Sequence, residues 1–408
     1  MWRAIILLAL ALPAAAQDRA TVEAQFQIWL EDVIWTQAQD RGVARETYDA
    51  ALGDVTLNWD LPSLLPPGGV VVEDTKTLQS EFRAPARYFR SDNLIASARI
   101  GGQKARKLDQ TLTRIEDQFG VPRHILLAIW GRESGFGAVA IRDNPFPVLA
   151  TRGFMGKNAT YFTGEVVALL QIVQEGHVPI DDVRSSWAGA LGQPQFMPSS
   201  FLAYAADGDG DDRRDIWGSE ADTLASIANF LKVHDWDGTR DWGFEVVVPD
   251  AISCAGEGPD QRKSIADWVA AGVERANGRP FPQNEMAGLA SLMLPAGRNG
   301  PAFLVTPNFY VLKRYNPSDL YALFVGHVGD RIAYDSGAFE GEWGPVDDML
   351  RSDVAEMQTA LIAQGYDVGG ADGLAGYKTR RSIGEWQQSQ GMAPTCFPNN
   401  DVVQAIVK

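Results

Sequence analysis

Cysteine is scarce in this chain: 408 residues contain two, Cys254 and Cys396. So distant a pair makes neither a metal cluster nor a redox motif. The count is even, and an exported chain permits pairing, but spacing does not decide between a disulfide and two separate buried thiols. Histidine is nearly as rare, with only His124, His177, His234 and His327, none in an H-x-x-x-H arrangement. That disfavours a metal-dependent hydrolase. Positive charge is in deficit, 36 Lys and Arg against 52 Asp and Glu for a net charge of −16. Nucleic acid and anionic membrane surfaces need a basic footprint, so neither is an expected partner. Beyond the first residues no apolar run approaches a membrane span, and there are no tandem repeats or low-complexity tracts.

The N-terminus carries Arg3, an apolar stretch from Ala4 to Leu12, then Pro13 and Ala14-Ala15-Ala16 before Gln17. A charged start, a short apolar core and an A-x-A ending predict a signal peptide, 1–16, cleaved after Ala16. No cysteine lies near that site, so a lipid anchor is not expected. The length suggests two to three domains. Helical spacing runs through Thr21–Ala51 and Leu94–Phe119 and on into the apolar Ile125–Trp130; Gly164–Gly176 and Ala221–His234 also fit helices. Pro122 suits a first helical turn. Phe244–Val248 and Ala302–Lys313 read as strands, and the Pro- and Gly-rich 58–75 as a loop. After Arg331 the composition shifts: Tyr334–Pro345 reads as a linker, followed by a small module with helices at Val354–Gln364 and Tyr377–Gln390. A tethered module of this kind predicts that the tail can be removed without touching chemistry elsewhere.

Glu133 is the carboxylate most suited to chemistry. It lies in Gly131-Arg132-Glu133-Ser134-Gly135-Phe136-Gly137, at the end of an apolar helix. Ile129 and Trp130, one turn back, would strip water from it, and the negative end of the helix dipole disfavours a second negative charge. Both effects raise a carboxyl pKa towards the range of a general acid. The alternative is a solvated glutamate paired with Arg132 or Arg142. Sixty residues on, Gly189-Ala190-Leu191-Gly192-Gln193-Pro194-Gln195-Phe196-Met197-Pro198-Ser199-Ser200 offers hydrogen-bonding groups on a crowded backbone. One acid with a polar, small-residue wall suits acid/base cleavage of a sugar chain, and the 12 Trp and 10 Tyr supply faces that stack on sugars.

Together with Trp130–Gly137, Ser186–Ser200 and Arg314-Tyr315-Asn316-Pro317-Ser318, the stretch Asp207–Trp217 resembles the lytic murein transglycosylase B family, over roughly Ala24–Ile332. The tail, through Met357-Gln358, Leu361, Gly365-Tyr366, Asp372-Gly373, Lys378-Thr379 and Trp386-Gln387, resembles a small peptidoglycan-binding module. The resemblance implies a mainly α protein: a lysozyme-like catalytic domain with a small β element over 17–333, a linker over 334–345, and a three-helix wall-binding domain over 346–408. It implies a periplasmic enzyme acting on peptidoglycan glycan strands, with proteins of wall synthesis or division as the candidate partners. The implied reaction breaks the β-1,4 bond between N-acetylmuramic acid and N-acetylglucosamine and leaves a 1,6-anhydro end. Glu133 then acts as sole acid and base, where an ordinary glycosidase needs two carboxylates. The rivals are a muramidase that uses water and a catalytically silent wall-binding scaffold.

Further site residues come from the same resemblance. Ser186 and Gln195 match polar residues that hold the N-acetyl group, Tyr315 and Asn316 a groove-lining pair, and Tyr161 and Tyr88 sugar-contacting tyrosines. Phe230 stands where the family usually has Tyr and is expected to face the groove. Asp207, Asp209, Asp211 and Asp215 occupy positions 1, 3, 5 and 9 of a calcium-type loop, but position 6 is Asp212 and position 12 is Gly218. Asp222, or failing that Glu220, is the acid expected to close it. The implied ion is calcium in a structural role, with no cofactor for catalysis; the alternative is a solvated acidic turn.

Overall fold

The computed structural model describes residues 18–67, 85–347 and 349–408. The predicted signal peptide, 1–16, and the part of the predicted 58–75 loop beyond Pro67 lie outside them. The described chain is mostly helical and forms two compact units, 1–73 with 141–203 and 74–140 with 204–408.

In the first unit Asp18 caps Arg19–Trp29, its carboxylate accepting from the Thr21 amide. The helix runs through a wider π segment, Leu30–Trp35, into Thr36–Asp40. Arg45–Leu52, Pro145–Met155 and Ala159–Gln174 complete the layer. Asn144 caps Pro145–Met155, with Pro145 at the first turn, where no amide hydrogen is needed. Glu165 is buried yet satisfied: it accepts from the Ser199 amide at 2.8 Å and its hydroxyl at 2.6 Å.

The second unit is built on Arg123–Ser134, whose Ile125–Trp130 are all buried because the run is apolar on every face. Pro122 stands one position earlier than expected, as the cap. Ser91–Lys107, Asp109–Phe119, Glu220–Val233 and Asp319–Tyr334 pack around it. Six short strands follow: β1 Gly243–Val247, β2 Lys263–Ser264, β3 Glu274–Arg275, β4 Leu289–Met293, β5 Pro295–Arg298 and β6 Ala302–Val305. Five of them make an antiparallel sheet in the order β2-β4-β6-β1-β3. The expected strand 302–313 is half right. Thr306 caps, and Pro307 opens, a helix over Pro307–Tyr315, so the apolar run changes period at the proline.

The tail folds as Arg351–Ala363, Tyr377–Ser389 and Asn400–Val407 around Met357, Leu361, Ile383 and Trp386. It is fastened rather than tethered. Cys254 and Cys396 form a disulfide, and Cys396 is part of the core beneath the sheet. Arg380, 1% exposed, grips Glu257, 0% exposed, through two hydrogen bonds of 3.0 and 2.5 Å and reaches Asp319 at 3.1 Å. The segment read as a linker has neither helix nor strand over 335–347, yet it is strapped down. Phe339 packs on Phe89, Phe303 and His327, Trp343 stacks on Phe89, and the Glu340 and Gly341 amides donate to Glu245. Glycines and aspartates gave this stretch a linker composition; its aromatics give it an anchor.

Candidate active site

Glu133 sits in the last turn of Arg123–Ser134, which Gly135 ends in the left-handed conformation at φ 58°. Gly131, one side of the motif, is needed for space: a Cβ there would stand 2.5 Å from the Phe136 ring. That ring meets Trp130 edge-on at 5.6 Å, closing the helix end over itself.

The Glu133 carboxylate accepts a hydrogen bond from the Tyr321 hydroxyl at 2.5 Å. Tyr321, 2% exposed, is held by its helix: Ser318 caps the start of Asp319–Tyr334 by accepting from the Tyr321 amide. Its ring lies parallel to that of Tyr315 at 6.5 Å. Arg132 turns away from the carboxylate, donating to the Tyr88 hydroxyl at 2.7 Å and lying over the Tyr88 and Phe324 rings. Enclosure by protein pushes the Glu133 carboxyl above the ordinary range, while the Tyr321 hydrogen bond and the Arg132 charge pull it back in part. The result is an acid that holds its proton more tightly than a solvated glutamate.

Among the expected site residues of this unit, Tyr315 and Tyr88 thus surround Glu133, one through Tyr321 and the other through Arg132. Asn316 follows Tyr315 as the cap of Pro307–Tyr315, its side chain accepting from the Ser318 amide. Phe230 is 7% exposed, and its ring meets those of Tyr204, His234 and Tyr315, on a helix whose Leu224, Ile227 and Leu231 are also buried. Tyr321 escaped sequence reasoning; its place three residues after a Ser cap, six after Tyr315, was the available signal.

Ser186, Gln195 and Tyr161 belong to the other unit. The Ser186 amide donates to Ala190 at 2.8 Å, closing a tight turn whose Gly189 has φ 93° and abuts Leu149. Gln195 holds φ 56°, and its side chain donates to the Gly192 carbonyl at 2.9 Å. Single bridges join Ser185 to Leu191 and Leu191 to Phe196, so the Gly/Gln/Ser segment is a knot of backbone hydrogen bonds with polar tips. Tyr161, 49% exposed, packs on Phe162; Arg152 lies between the Phe162 and Trp187 rings, and Trp187 is 59% exposed. Such exposed rings are the stacking faces that sugars use.

The aspartate loop converges only in part. Carboxylate oxygens of Asp207, Asp209 and Asp211 lie within 4.8 Å of one another, a donor set that suits a hard cation. Asp215 and Asp222 serve the loop's backbone instead. Asp215 accepts from the Trp217 and Gly218 amides, and buried Asp222 accepts from Gly208 at 2.8 Å and Asp215 at 2.6 Å. Glu220 pairs with Lys104 and Lys107.

A helical unit with one enclosed carboxyl at a helix end, braced by tyrosines, has close relatives. The family model of the transglycosylase SLT domain matches residues 25–330, and that of a putative peptidoglycan-binding domain matches 351–406. The chain belongs to the SLT-domain transglycosylase family. It is similar to membrane-bound lytic murein transglycosylase B of Escherichia coli (strain K12), 32% identical over 228 residues, which are 55% of this chain and 61% of that protein. The match thus spans less than two thirds of that relative. Among solved structures it is similar to SltB3 from Pseudomonas aeruginosa in complex with NAG-anhNAM-pentapeptide, at TM-score 0.81 and 35% identity over 94% of this chain and 99% of that one. Escherichia coli Slt35 in complex with calcium is more distant, at TM-score 0.57 and 25% identity over 77% of this chain and 93% of that one.

Proposed function

We propose that this chain is a lytic transglycosylase cleaving the β-1,4 bond between N-acetylmuramic acid and N-acetylglucosamine in peptidoglycan. The observation that carries the reading is the enclosure of Glu133: among the described residues the groups bearing on its carboxyl are Tyr321, Arg132 and Tyr315, none of them a second carboxylate. A protonated Glu133 donates to the departing glycosidic oxygen. The carboxylate left behind, held in place by the Tyr321 hydroxyl, then takes the proton of the sugar's own C6 hydroxyl as that oxygen closes on the anomeric carbon. The product end is a 1,6-anhydro sugar, and no water is consumed. The SltB3 complexes with sugar-peptide fragments support the substrate class.

Ser186 and Gln195 are proposed to hold the N-acetyl group, and Tyr315, Asn316, Tyr161 and Tyr88 to line the glycan path. The tail is proposed to bind glycan and the N-terminal stretch to direct export to the periplasm; no described helix is long and apolar enough to cross a membrane. The Asp207, Asp209 and Asp211 carboxylates would hold a calcium ion, which would stiffen the loop before Glu220–Val233 and take no part in the chemistry. The reading is tested with Glu133→Gln, which keeps the shape and cannot donate a proton. Its release of soluble material from sacculi should fall about 10²–10⁴-fold, the usual worth of a positioned acid. A near-normal rate from a folded variant would remove Glu133 from this role.

A further inference from the structure

Tyr321 reaches Glu133 from the first turn of Asp319–Tyr334, and that turn opens on a carboxylate that joins three helices. Asp319 accepts from Lys313 Nζ at 2.6 Å and from the Arg380 guanidinium at 3.1 Å. Lys313 lies in Pro307–Tyr315, the helix that ends on Tyr315, and the turn Asn316-Pro317-Ser318 leads from it to Asp319. Arg380 lies in Tyr377–Ser389 of the tail. Its guanidinium also holds Glu257 and donates to the Ala375 carbonyl at 2.7 Å. Burial alone would raise the Asp319 carboxyl, but the Lys313 and Arg380 charges outweigh it and hold the group below the ordinary carboxylate range. Asp319 is thus ionised, and it stands at a helix N-terminus, where the dipole favours negative charge. Glu257 and Tyr310 also feel its charge.

A buried ion network is a weak source of net stability, because desolvation offsets most of the attraction. What this one supplies is direction. Both tyrosines beside Glu133 start from it, Tyr315 two residues after Lys313 and Tyr321 two residues after Asp319. Their rings lie parallel at 6.5 Å, and the Tyr321 amide is tied to the Ser318 hydroxyl at 3.2 Å, directly before Asp319. We propose that Asp319 is a positioning residue for the acid, and that Arg380 completes its anchorage, so that the tail forms part of the scaffold aiming the Tyr321 hydroxyl at Glu133. This rests on the reading of Glu133 as the acid, and it gives the tail a task besides holding glycan.

The test uses full-length protein and a soluble glycan fragment, so that retention on the wall does not enter. Asp319→Asn keeps the shape and removes the charge that Lys313 and Arg380 hold. Its kcat should fall roughly tenfold with KM little changed, within the 10²-fold that misplacement by about 1 Å can cost. The groups bearing on the Glu133 carboxyl are Tyr321, Arg132 and Tyr315, and the Tyr321 hydroxyl lowers it. A slackened hydrogen bond therefore moves the alkaline limb of the kcat–pH profile to higher pH. Mere removal of a nearby negative charge would move it to lower pH, and a loss of stability alone would not move it. Arg380→Lys keeps the positive charge but gives up the fork that reaches Glu257 and Asp319 together, so it should shift the limb the same way. That variant carries the test if Asp319→Asn does not fold. Adding Asp319→Asn to Tyr321→Phe should move the limb no further, since the effect passes through the hydroxyl. An unmoved limb in the folded variants, a limb moved to lower pH, or additive shifts in the double variant would overturn the proposal. Glu133→Gln in the same assay separates the two readings. If it is active, Glu133 is not the acid; if it is inactive while Asp319→Asn keeps the wild-type limb, only the coupling fails.

Discussion

In the proposed reaction Glu133 and Tyr321 are the pair on which the chemistry turns. Burial raises the carboxyl and the tyrosine hydroxyl lowers it, because a hydroxyl donor favours the ionised form. A general acid must be protonated, so the rate falls as pH rises through its pKa. Tyr321→Phe removes a lowering contact, which moves the Glu133 pKa further up and the alkaline limb of the kcat–pH profile to higher pH. The maximal rate should fall too, as the carboxylate loses its brace. An alkaline limb unchanged or moved to lower pH would show that this hydrogen bond does not set the acid. The same raised pKa has a sign for stability. The folded chain holds this proton more tightly than the unfolded one, so Glu133 adds stability below the ordinary glutamate pKa. That increment is lost as pH rises through the folded value. Glu133 itself was legible in the sequence, because the apolar run marks a buried helix and the motif around Glu133 singles it out from a solvated glutamate paired with Arg132 or Arg142. Its partner was not, because the contact spans 188 residues and the place of Tyr321 after Ser318 and Tyr315 is a faint signal for it.

Among the elements, the aspartate loop and the clamp on the tail make opposite kinds of claim. Calcium should raise the melting temperature by mass action, since the loop gathers three carboxylates only when folded. Asp207→Ala with Asp211→Ala should erase the increment, and no shift at millimolar calcium in chelator-stripped protein would mean a solvated turn. Arg380 is the sharper case. Its removal leaves the buried Glu257 charge without its partner, at a cost of about 3–5 kcal/mol. Arg380→Ala should therefore lower the melting temperature steeply, and a loss of only a degree or two would contradict the clamp. Helices with strong periodicity could be located within a few residues from sequence, and β1 as well. The two-residue strands β2 and β3 could not, because they hold no pattern of their own and exist only through β4 and β1.

At the scale of the whole chain, the module that composition marks as separable is bound to the sheet by a disulfide, a buried ion pair and a shared core. Cutting after Gly341 would remove Cys396 from that core and strand Glu257, so the truncated chain should be markedly less stable as well as less well retained on insoluble peptidoglycan. Breaking the disulfide alone, by Cys254→Ser with Cys396→Ser, should cost about 2–5 kcal/mol while the ion pair still holds. A truncated chain with the melting temperature of the full one would restore the picture of a free tether. Sequence marks the two family segments well, because each carries several ordered motifs. How they are joined was hidden, since Cys254–Cys396 and Glu257–Arg380 are contacts of 142 and 123 residues' separation with no local signature.

One carboxyl is proposed to serve as acid and then base while the sugar attacks itself. Digestion of purified sacculi by the full-length protein, followed by mass spectrometry of the released muropeptides, reads this directly. Attack by the C6 hydroxyl should give 1,6-anhydro ends, lighter by one water than the hydrolytic product and not reducible by borohydride. Reducing N-acetylmuramic acid ends as the main product would mean that water is the nucleophile, and would contradict it.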